Sequence, residues 1–156
     1  MQKAISGLAG AGALLLTGAQ FLPLYHTHVP SLRASVGSSS VGADHAYGVL
    51  IIALMALALA VIVRVRALRY AVWLLGVLGV VSLIIALGHD LVAAHAHGLK
   101  LVGDHYETAT NVLGAGLYVE LLGALVLISA CLAGILLAPH SFVAVSNAGS
   151  RKASVP

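Results

Sequence analysis

The chain has 156 residues, 60% of them hydrophobic and only 8% charged, with a mean hydropathy of +1.04. Soluble domains carry about a quarter charged residues, so this composition excludes a soluble fold and makes lipid the main solvent. The formal charge of +3 comes without a long basic run or interleaved aromatics, which gives no basis for nucleic acid as a partner. The single cysteine, Cys131, excludes an internal disulfide or a cysteine zinc motif.

A helix needs roughly 20 apolar residues to cross the hydrocarbon core. Four stretches meet that length, at about 4–24, 46–63, 70–87 and 112–137. Helices are the expected form, because a chain in lipid must satisfy its own backbone hydrogen bonds and no barrel-like alternation is present. The expected fold is therefore an all-α membrane protein, a four-transmembrane-helix bundle over residues 1–138 followed by a flexible cytoplasmic tail at 139–156 that holds His140.

The first stretch is broken only by Ser6, Thr17 and Gln20. Thr17-Gly18-Ala19 would serve as a signal-peptidase triplet, but the apolar run continues through Phe21 and Leu24, so an uncleaved helix is expected. Residues 29–41 carry Pro30, Gly37 and Ser38-Ser39-Ser40, which predicts an irregular, mobile loop. After the second and third spans, residues 90–101 keep a helical composition without proline. That predicts an outward continuation of span three, or a short surface helix, breaking at Gly98 or Gly103. The fourth span holds Glu120, the only charge within the apolar stretches. An acid in hydrocarbon faces the bundle interior, and a hydrogen bond to Gln20 is the expected partnership.

Six basic residues, Lys3, Arg64, Arg66, Arg69, Arg151 and Lys152, lie on one side of these spans, against Arg33 and Lys100 on the other. The positive-inside rule then places both termini in the cytoplasm. The Ala-, Gly-, Val- and Leu-heavy vocabulary points to a GC-rich bacterial genome, and so to the inner membrane. Asp44, Asp90, Asp104 and Glu107 fall outside.

Seven of the eight histidines also fall outside: His26, His28, His45, His89, His95, His97 and His105. Each outer segment holds an H-x-H and an Asp-His, namely His26-Thr27-His28 with Asp44-His45, and His95-Ala96-His97 with Asp104-His105. Convergent polar-loop composition is a simpler account of this pattern than duplication. In extended backbone H-x-H puts both rings on one face, where two imidazoles can reach one ion. On a helix the same spacing points them about 200° apart; Asp90, His97 and Asp104 would then share a face, at steps of about 10.5 Å, too long for one ion. His26, His28, His95, His97 and His105, with Asp44 and Asp104 as oxygen donors, form the candidate metal set. Such ligands suit Zn²⁺ or Cu²⁺, and with the carboxylates also Mn²⁺ or Fe²⁺. A haem alternative places an iron between His45, which opens span two, and His89, which closes span three.

These features lead to three functional expectations. The first is an accessory or structural subunit of a larger membrane complex, docking to other membrane subunits or to itself through glycine-rich helix faces. The second is an outer-face Zn²⁺ or Cu²⁺ protein for metal handling or sensing. The third is a small transporter or proton-coupled membrane enzyme built on Glu120. No phosphate loop, nucleophile elbow or metalloprotease helix is present.

Overall fold

The computed structural model describes residues 2–45, 47–66, 69–102 and 104–137. The expected tail, His140, Arg151 and Lys152 lie outside the described residues, as does Gly103.

The chain opens with helix α1 (Gln2–Ala19) and strand β1 (Pro23–Val29), followed by a 3₁₀ turn (Pro30–Leu32) and strand β2 (Ala34–Ser40). A short helix α2 (Val41–Asp44) leads into α3 (Gly48–Arg66). The second half runs from α4 (Arg69–Ile85) through a π-helical turn (Ala86–Asp90) into a short α5 (Leu91–Ala94). Strands β3 (His97–Val102) and β4 (His105–Leu113) precede the last helix, α6 (Ala115–Leu137).

The four long helices pack side by side, α1 against α3 and α6, and α4 against the same two. Three segments are long and apolar enough to cross a membrane: Gly48–Arg66, Arg69–Ala94 and Ala115–Leu137. Their buried seams are narrow and built from small residues. In α3 only Val49, Ala53, Ala56, Ala60 and Val63 are buried, at alternating spacings of four and three. Ile51, Leu54, Met55 and Val61 on the other faces are exposed, as are Trp73 and Val77 of α4, as expected of helices solvated by hydrocarbon. Contact is closest where glycine removes a side chain. A Cβ on Gly123 would meet Leu16 Cγ at 2.9 Å, and one on Gly79 would meet the Ala124 carbonyl at 3.0 Å.

The all-α expectation needs correction, because a four-stranded antiparallel sheet of order β2-β1-β4-β3 crowns one end of the helices. Residues 29–41, expected as an irregular loop, fold into a hairpin. Pro30 starts the turn and Arg33 closes it in the left-handed region, at φ 51°. Strand β2 is mostly serine, glycine and alanine, with little intrinsic strand preference, so pairing with β1 makes it a strand. The expected helix over 90–101 stops at Ala94, where the His95 ring nitrogen Nδ1 bonds the Leu91 carbonyl at 2.8 Å and the chain turns into β3. The face proposed for Asp90, His97 and Asp104 therefore does not exist. Spans one and four are shorter than expected for the same reason: Pro23 and Leu24 belong to β1, and Val112 and Leu113 pair with His26 and Tyr25.

The central pairing of β1 with β4 joins the first half of the chain to the second. On the face toward the helices, Val29 and Ala109 are buried, Thr27 Oγ1 donates to Asn111 Oδ1 at 3.0 Å, and Asn111 Nδ2 donates to the Ala93 carbonyl at 2.8 Å. The two Asp-His pairs are not equivalent. Asp44 ends α2 at the foot of α3, whereas Asp104 sits in the turn between β3 and β4.

Candidate metal centre

Where the sheet meets the helices, two tight backbone features bring four ligand-type side chains together. The first is the turn between β2 and α3. Ser40 caps α2 by accepting from the Ala43 N–H at 3.2 Å. Val41 and Gly42 donate their N–H groups to the carbonyls of Leu22 and Gln20, which ties the turn to the end of α1. Tyr47 takes a left-handed conformation, φ 61°, and its N–H bonds the Gly42 carbonyl at 2.7 Å. A non-glycine residue rarely holds that conformation unless its surroundings enforce it. The result fixes Asp44 and His45 at the start of α3.

The second feature is the π turn of Ala86–Asp90. An i→i+5 turn shifts the helical register by one residue and often marks a functional site. Here it carries His89 and Asp90. One ligand atom from each of Asp44, His45, His89 and Asp90 lies within 4.8 Å of the others.

The geometry centres on Asp90, whose side chain is fully buried. Its Oδ1 is in hydrogen-bond contact with His45 Nε2 and lies 3.1 Å from His89 Nδ1. His89 Nδ1 is also 3.5 Å from Asp44 Oδ2. The His45 and His89 rings stand with centroids 4.8 Å apart, tilted by 55°. Asp44 Oδ2 is buried without a hydrogen-bond partner, and the buried Asp90 Oδ2 faces the Glu120 carboxyl. The His45 and Asp44 side chains are 14% and 18% exposed and His89 is 60% exposed, so the cluster is closed on its inner side and open past His89.

Two imidazole nitrogens and two carboxylates are a donor set for a four-coordinate divalent transition ion. The two aspartates also neutralise such an ion, which matters where burial makes net charge expensive. Axial haem ligands stand on opposite faces of a porphyrin. Here both rings reach the same carboxylate oxygen, which leaves no plane for a macrocycle between them.

The remaining sequence candidates lie elsewhere. His26, His28 and His97 share the sheet face turned away from the helices, with His28 and His97 both in register with Thr110. His26 and His97 are exposed and His28 is half-buried. His95 caps α5, and Asp104 and His105 are exposed at the β3–β4 turn. Gln20 and Glu120 are both buried, but the expected bond between them is absent. The Gln20 amide donates to the Leu16 carbonyl at 3.1 Å, and Glu120 lies instead beside Asp90. Sequence reasoning passed over Asp90 as a ligand. The available signal was the mirrored pair Asp44-His45 and His89-Asp90 at one boundary of two consecutive spans.

No described protein family, curated protein or solved structure matches the chain. The fold and the cluster define it as a mostly helical protein with three helices long and apolar enough to cross a membrane, a small sheet at one end and a His/Asp cluster between the two.

Proposed function

We propose that this protein handles a divalent transition ion, Zn²⁺ first and Cu²⁺ second, at the outer face of a bacterial inner membrane. In this reading all four long helices cross the bilayer, with α1 as the fourth span, and the six-to-two distribution of basic residues sets both termini inside. The sheet then stands outside, and the cluster lies at the bilayer boundary beneath it. The carrying observation is the convergence of Asp44, His45, His89 and Asp90 within 4.8 Å, with a buried, unbonded oxygen on Asp44. Opening past the exposed His89 suits capture or release of an ion from the outer solution. Elemental analysis of the full-length protein, purified in mild detergent after growth with zinc, tests this. One equivalent of zinc is expected, and absence of any stoichiometric transition metal would overturn the reading.

The same reading fixes a pH dependence. A protonated imidazole has no lone pair to donate, so protons compete with the ion for His45 and His89. Zinc affinity is expected to fall as the solution is acidified, because binding an ion releases the protons its ligands carry. Zinc titration at several pH values and constant ionic strength checks it; a flat profile means that histidine does not hold the ion.

The subunit reading has one observation of its own. Gly7, Gly10 and Gly18 of α1 have open space where a side chain would stand, and small residues on a free helix face let a partner helix approach closely. A metal-handling protein that docks on a membrane complex satisfies both readings. Purification as a monodisperse monomer with no accompanying protein would count against docking.

A further inference from the structure

Directly inward of the metal centre lies a second layer of buried oxygens. Glu120 stands three residues before Gly123 and four before Ala124 on α6, so it shares the helix face that meets α1 and α4. Gln20 follows Leu16, the residue packed on Gly123, by four positions. Ser82 follows Gly79, the residue packed on Ala124, by three. One turn outward from these glycine contacts, Gln20 just past the end of α1, Ser82 of α4 and Glu120 of α6 are thereby in register at one level of the bundle. Asp90 reaches the same layer from above. Helical side chains lean toward the N-terminus of their own helix, so Asp90 leans inward and Glu120 leans outward, and their carboxyl groups meet.

All four residues are at most 1% exposed. Gln20 Oε1 and Ser82 Oγ have no hydrogen-bond partner, and the Glu120 carboxyl and Asp90 Oδ2 face one another with no other donor. Buried polar atoms are almost always satisfied, and the oxygens of Glu120, Asp90 and Gln20 are acceptors. A set of buried acceptors drawn from four residues is the surrounding a hard cation needs, with oxygen donors only and no imidazole or sulfur.

We propose that Glu120, Asp90, Gln20 and Ser82 form a monovalent-cation site that takes Na⁺ when the metal centre above it holds its divalent ion. The inference rests on the reading of Asp44, His45, His89 and Asp90 as that divalent site. Charge selects the class of ion. Asp44 and Asp90 together balance one divalent ion, and the third carboxyl group, Glu120, calls for one further single charge inside a low-dielectric layer, which a monovalent ion supplies. Asp90 contributes Oδ1 to the upper ion and Oδ2 to the lower, so occupancy of either position favours the other, and the coupling is reciprocal.

The test is zinc titration of the purified full-length protein in sodium chloride and in N-methyl-D-glucamine chloride at equal ionic strength. Zinc is expected to bind about tenfold more tightly in sodium, within the usual range of coupling between sites. Glu120→Gln should retain the single zinc and lose the sodium advantage. Equal zinc affinity of the wild type in both salts would overturn the inner site, as a layer satisfied by water alone, and leave the zinc centre standing. No zinc binding in either salt would overturn both. Should Glu120→Gln fail to fold, Ser82→Ala and Gln20→Leu remove neutral ligands from the same layer. An undiminished sodium advantage in both would overturn the ligand assignment.

Discussion

Replacing His45 and His89 together with alanine is expected to lower zinc affinity by at least about a hundredfold, more than the loss of an outer hydrogen-bonding partner costs a metal site. In the proposed site each histidine supplies one of the two nitrogen ligands, and the remaining carboxylates favour harder ions over zinc. The matched control is His26→Ala with His28→Ala, which removes an H-x-H from the far face of the sheet and should leave zinc affinity unchanged. Equilibrium titration of both double variants against the wild type decides it. Reversed sensitivities would move the site to the exposed sheet face. The His45 change also removes the better-buried partner of Asp90 and leaves its Oδ1 only the exposed His89, and breaking a buried pair destabilises a fold. Thermal unfolding of the metal-free proteins should therefore show His45→Ala below His89→Ala, because His89 is largely exposed.

Gly114→Ala is expected to be the most damaging single methyl insertion. Gly114 joins β4 to α6, and its N–H donates to the Leu24 carbonyl at 2.8 Å. A Cβ there would stand 2.1 Å from the Pro23 carbonyl oxygen and 2.9 Å from the Leu24 carbonyl carbon, both rigid backbone. Overpacking against side chains that can move costs about 1–3 kcal/mol, and this contact lies at or above the top of that range. Gly10→Ala in α1, with nothing within 4 Å of the inserted methyl, should be neutral or slightly stabilising through helix propensity. Thermal unfolding in detergent of the two variants measures the difference. Equal midpoints would mean that the β1–α6 junction is looser than its hydrogen bond implies.

The long apolar helices were legible in the residues alone, because lipid imposes a length and a composition on a helix regardless of its neighbours. Their ends were less legible. Leu24, Val112 and Leu113 are as apolar as any span residue, and only strand pairing removes them from the helices. Polar alternation across the sheet was too weak to show, since β2 reads as a serine-rich loop and β3 begins in a helix-like run. What makes them strands is register between Thr27 and Asn111, or His28 and Thr110, residues more than eighty positions apart in the sequence.

The candidate site divides in the same way. That histidine and aspartate gather at one end of the spans follows from the sequence, because charged and polar side chains are driven to the membrane boundary. Which of them meet does not. The H-x-H motifs, the strongest local signal, lie on an exposed sheet face or at a helix cap. Asp44-His45 and His89-Asp90 meet because a turn tied to the end of α1 carries one pair, a π turn carries the other, and the packing of α3 on α4 holds them side by side. The mirrored order of the two pairs at one boundary of consecutive spans is the local trace of that convergence, and only packing sets the distances. Chain composition therefore determined the long apolar helices, and tertiary packing decided which of the polar side chains at their ends meet.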